Sequence, residues 1–275
     1  MRFAFVTVLG VVALNAVDCA QARGEGREIG ARKAAQRKNF TDAQIASGFF
    51  KVAFGAELGF GGRVDRIRKY VKPVRVYIEN GAKPDRRAAV AKVIADIQDR
   101  IANLDIAVTE RRSEANFVVR LVRDRDLADT VDKLYGARGK QIVRSLEPQC
   151  LSGFRKDSQY RIVRSDVILV ADKGSFIFLD CAYEEILQAL GPIRDDPSVR
   201  WSMFNDDVQM GFFSIYDQYL LNVLYHRSIR PGMTKAEVRS VLPKIMPDVR
   251  AWVARVNRLD PRPPRSGKRR PSPAR

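Results

Sequence analysis

Histidine is almost absent from this chain: among 275 residues only His226 carries an imidazole. A zinc site built on histidines needs two or three of them, so that class is excluded at the outset. Cysteine is scarce too. Of Cys19, Cys150 and Cys181, the two beyond residue 22 fall short, even with His226, of the four Cys or His ligands a structural zinc site takes. Neither the Gly-x-Ser-x-Gly nucleophile elbow nor the phosphate-cradling Gly-x-x-x-x-Gly-Lys loop occurs, which excludes those hydrolase and nucleotide-binding classes. No apolar stretch reaches the roughly 20 residues a membrane-spanning helix needs. Acidic side chains are the last shortage: 32 against 49 basic ones leave a net charge of +17. That surplus favours anionic polymers or membrane surfaces as partners and does not choose a fold.

What is present is enough for a packed core, with 45% hydrophobic and 9% aromatic residues. Residues 1–22 read as an export signal: Arg2, an apolar run from Phe3 to Val17, then Ala20-Gln21-Ala22 as a small-x-small cleavage pattern. Cleavage after Ala22 places the mature protein in the periplasm or outside the cell. Asp18 directly before Cys19 makes a poor lipidation signal. Residues 23–39 are basic, polar and without periodicity, which predicts a flexible linker. Residues 40–255 carry the globular pattern, and 256–275 are rich in Pro, Arg, Lys and Ser, the composition of a disordered basic tail. Arg262, Arg265, Lys268, Arg269 and Arg270 in that tail suit an anionic envelope polymer or lipid headgroups. Export argues against nucleic acid.

Once the signal is removed, Cys150 and Cys181 remain. In an oxidising compartment an even pair reads most simply as a disulfide, with two free buried thiols as the alternative. A bridge would fix Cys181 at the start of the helix that carries Glu184.

The elements follow from pattern. Thr41-Asp42-Ala43-Gln44 is a capping box opening a helix with Ile45, Phe49, Val52 and Ala53 on one face. Gly59 to Gly62 is a turn, and Val74 to Ile78 a β-branched strand. Val90, Ile94, Ile97, Ile101 and Leu104 form one stripe of a long helix from about Asp85. Ile106–Val108, Phe117–Val122 and Val167–Val170 read as strands, the last buried on both faces because it lacks alternation. Ser214-Ile215-Tyr216-Asp217 and Thr234-Lys235-Ala236-Glu237 are further capping boxes. The fold class is α+β (mixed α/β), a sheet packed against helices with a smaller helical C-terminal part.

One segment carries chemistry, or its remains. Glu184-Glu185-Ile186-Leu187-Gln188-Ala189-Leu190-Gly191 is similar to the active-site helix of zinc metallopeptidases, His-Glu-x-x-His-x-x-Gly. Two histidines four apart share a helix face and bind the metal, and the glutamate between them activates water. Here Glu184 and Gln188 stand at the two ligand positions and Glu185 at that of the base. The metzincin branch places a third histidine at the position of Arg194, a cation that repels a metal. Its Ser-x-Met turn corresponds to Ser202-Met203-Phe204, with Phe204 in place of the methionine, and its next helix begins near Asp217 and ends at Leu224-Tyr225. The resemblance implies a zincin-like fold, a twisted sheet with a long backing helix, without zinc or another cofactor. An amphipathic helix with a polar outer face is the plain alternative for Glu184–Gly191.

From Phe40 to Leu242 the chain also resembles a family of secreted proteins, domain of unknown function 2927. The resemblance rests on Cys181, Glu184-Glu185, Gln188-Ala189-Leu190-Gly191, Ser202 to Asp206 and Arg230 to Thr234. The expected protein is exported and non-catalytic, with a binding or scaffold role in the cell envelope. Two further readings stay open, a metal-independent hydrolase using Glu185 and an electrostatic binder acting through its basic tail. Asp195, Asp196, Asp206 and Asp207 lie where they could gather near Glu184 and Glu185, as oxygen ligands suited to calcium or magnesium or as ordinary surface acids.

Overall fold

The computed structural model describes residues 24–55, 65–136, 139, 149–192 and 194–260. The signal segment, the Gly59–Gly62 turn and the tail from 261 lie outside the described residues. Five strands form one sheet in the order β2-β1-β3-β5-β4: β1 is Val74–Asn80, β2 Ile106–Val108, β3 Phe117–Val122, β4 Cys150–Lys156 and β5 Ile162–Val170. Four strands run parallel, and β4 lies antiparallel to β5 at the edge.

A parallel pair needs a crossover, and α3 (Arg87–Arg100) supplies the one between β1 and β2. Val90, Val93, Ile94 and Ile97 of α3 are buried, so its apolar stripe faces the sheet as the spacing predicts. Along β5 the side chains divide by parity. Val167 and Leu169 join the main core, while Ile168 and Val170 join a second cluster with Val122, Leu127, Val131 and Leu151. That second face is covered by α4 (Leu127–Tyr135), which explains why β5 shows no alternation.

The remaining helices gather over the main core. They are α2 (Asp42–Val52), α5 (Ser175–Gln188), α6 (Ile215–Tyr225) and α7 (Lys235–Asn257). The Thr41 and Thr234 capping boxes are both formed. Ser214 caps α6 through the Asp217 backbone N–H, but the reciprocal half of that box is missing. The Asp217 carboxylate instead accepts from Ser202, Ser214 and the Met203 backbone. No described helix is long and apolar enough to cross a membrane.

Two further expectations change. Residues 24–35, predicted as part of a flexible linker, are helical (α1). Three contacts dock this segment: Glu25 Oε2 accepts the Ser175 N–H at 2.8 Å, Arg32 donates to the Gln209 carbonyl at 2.9 Å, and Gln36 Oε1 accepts the Ile215 N–H at 2.8 Å. Its polar residues thus satisfy free donors at the starts of α5 and α6. Cys181 is also not at a helix start. It lies in the middle of α5, bonded to Cys150 of β4 across a Cα separation of 5.9 Å.

Candidate functional site

Helix α5 begins at Gly174, whose φ of 95° suits glycine and whose missing side chain leaves the first N–H to Glu25. Phe178, Ala182, Ile186 and Leu187 are fully buried, fixing the helix against the sheet and α3. The motif Glu184 to Gln188 therefore occupies the last turn. Gly191 then reverses the chain at φ 141°. A Cβ there would lie 2.4 Å from the Arg68 carbonyl oxygen and 2.9 Å from Leu224, so only glycine fits.

One turn apart, Glu184 and Gln188 face the loop that follows. Gln188 Nε2 donates to both carboxylate oxygens of Asp195, each at 3.0 Å. Its Oε1 accepts from Ser152 of β4 at 3.4 Å. Glu184, Asp195 and Asp206 each bring a carboxyl oxygen to within 4.8 Å of the others. Burial pushes the Glu184 carboxyl far above the usual carboxylate range, and the charges of Glu185, Asp195, Asp180 and Asp206 push it the same way. The shift favours the protonated form of Glu184 beside Asp195 and Asp206.

The other relic positions are dispersed. Glu185 is buried in the same helix, 7% exposed, and its charge contributes to the raised phenol of Tyr135. The Arg194 guanidinium turns to Asp196 at 3.9 Å and leaves the cluster. Phe204 is fully buried, and its carbonyl accepts the Asp196 N–H at 2.9 Å. Asp196 and Asp207 stay outside the cluster, so two of the four aspartates converge on Glu184. Asp217, entirely buried beneath the Ser202-Met203 turn, has its carboxyl pushed up to about 6 by burial, against the three bonds that favour its charge. His226 follows the last residue of α6 and its Nδ1 accepts the Ser228 N–H at 3.1 Å.

Zinc, the metal the zincin resemblance implies, does not fit this donor set. One matched position holds a carboxyl that burial and neighbouring acids push toward its protonated form, the next an amide whose nitrogen is bonded to Asp195, and the third is a cation pointing away. The convergence of Asp195 and Asp206 has little sequence signal beyond their nearness to the motif, because loop paths set it.

A family model described as "Protein of unknown function (DUF2927)" matches residues 42–244. The chain belongs to that family. The DUF2927 region starts at α2 and ends inside α7, so it contains the sheet, the disulfide and every residue of the carboxyl cluster. Helix α1 and the basic tail lie outside it. No curated protein matches the chain.

Proposed function

We propose that this DUF2927 protein is an exported, zincin-like binding protein in which the metal site has become an internal hydrogen-bonded cluster. The observation that carries the reading is the bidentate bond from Gln188 to Asp195. At the position where a metallopeptidase needs a neutral imidazole nitrogen, the side chain already engages a partner of its own. Glu184 beside it, its carboxyl raised by burial and by the neighbouring acids, departs further from a zinc ligand set. A sheet backed by α3, with α5 crossing toward its antiparallel edge strand, supports the zincin-like assignment. The disulfide supports export, since such bonds persist in oxidising compartments. In this reading the protein binds an envelope component without cleaving it.

Metal analysis of the purified mature protein tests the proposal. The expected result is no stoichiometric zinc, and one zinc per chain overturns it. A metal-independent hydrolase working through Glu185 predicts turnover of an envelope polymer or peptide that Glu185→Gln abolishes.

A further inference from the structure

Away from the carboxyl cluster, a half-open cavity of about 220 Å³ lies between α2 and the segment around Ser198 to Trp201. Its wall is aromatic. Trp201 and Tyr216 meet edge to face with ring centroids 5.7 Å apart, and both rings line the cavity. Gly48 makes this corner possible, because a Cβ there would lie 2.2 Å from the Tyr216 hydroxyl. With glycine in place, the hydroxyl reaches the Gln44 carbonyl at 2.7 Å and the phenol lies flat along α2.

The rim is polar and cationic. Lys51 donates to the Ser198 hydroxyl, and both residues line the cavity with Ser47 and Gln44. Lys51 is the cation in its lining, while Arg37 lies over the Trp201 ring, 4.5 Å from its centroid, and Arg194 pairs with Asp196. Against burial, bonds from Ser198 and the charges of Lys51 and Arg194 hold the Asp196 carboxyl below its ordinary value.

Aromatic walls bury the apolar C–H face of a sugar ring, and short hydroxyl and amide side chains bond its hydroxyls. An ammonium at the rim selects a carboxylate. At about 220 Å³ and half open, the cavity has the scale of one sugar ring. We propose that this cavity binds a single acidic sugar residue, a pyranose bearing a carboxylate, with its ring against Trp201 and its carboxylate on Lys51. This site is independent of the carboxyl cluster, so either can fail without the other.

Saturation-transfer NMR on the full chain, with glucuronate as the probe and glucose as its neutral counterpart, tests this. Glucuronate is expected to give saturable transfer with a midpoint of a few millimolar, and glucose at least about tenfold weaker binding. Lys51→Met should level the two sugars. Ser47→Phe, at an exposed position, should fill the cavity and abolish transfer while leaving the melting temperature within a few degrees. No saturation by glucuronate up to about 10 mM overturns the proposal, as does unchanged glucuronate binding in Ser47→Phe.

Discussion

Gln188 and Asp195 are joined by two hydrogen bonds of 3.0 Å from one amide nitrogen to both oxygens of one carboxylate. The two residues are seven apart, on either side of the Gly191 reversal, so the contact depends on how the chain leaves α5. It ties the helix end to the next loop. Charge-assisted bonds of this kind are about twice as strong as neutral ones, and the buried amide holds the carboxylate in place.

Gly191 is the first test of that geometry. Gly191→Ala combines a positive φ with a Cβ 2.4 Å from a backbone oxygen that cannot rotate away. The expected loss is at least about 3 kcal/mol, read from the urea midpoint. A loss below about 1 kcal/mol contradicts the backbone path described here.

Glu184 gives a pH dependence with a definite sign. Its folded-state pKa is raised above the ordinary 4.5 by burial and neighbouring acids. The stability it contributes is therefore fully present below about pH 4.5 and is lost as pH rises toward the folded value. Glu184→Gln mimics the protonated form. It should leave stability unchanged near pH 4 and raise it by about 1–3 kcal/mol at pH 8–9, measured as paired thermal melts.

The disulfide ties edge strand β4 to the site helix across a sequence separation of 31. The double variant Cys150→Ser, Cys181→Ser should lose about 3–4 kcal/mol on the chain-entropy account. Because Ser152 and Gln188 lie along the same β4–α5 contact, amide exchange in α5 should quicken before global unfolding does.

Helix α1 supplies a cap that α5 cannot make for itself. Glu25 accepts the first α5 N–H, and Gly174 offers no side chain for the task. Removing residues 24–36 should speed amide exchange at Ser175 to Phe178 well beyond that of the sheet. Glu25→Gln keeps the shape and should cost only about 0.5–1 kcal/mol.

These contacts show what was readable in the sequence. The apolar stripe of α3, the strands β1 to β3 and the continuous run Val167–Val170 appear where pattern places them, because burial alone dictates them. The Thr41 and Thr234 boxes are local and equally legible. Strand β4 is not: Cys150–Lys156 has Gly153 at its centre and polar residues through much of its length, so only its pairing with β5 makes it a strand. Helix α4 hides because its apolar face is just Leu127 and Val131. The true start of α5 at Ser175 escapes for another reason, since its cap comes from Glu25, 150 residues away. In the site, the polar group Glu184, Glu185 and Gln188 is visible in the sequence. The partner that completes Gln188 is chosen by a loop, and loop paths carry no period.

The most direct measurement of the central claim is zinc content in two forms of the mature protein, the natural chain and Glu184→His, Gln188→His, Arg194→His. The account predicts no stoichiometric zinc in the natural chain, whose positions 184, 188 and 194 carry no imidazole; zinc uptake by the triple variant tests the proposed zincin-like backbone separately. Stoichiometric zinc in the natural chain would contradict it.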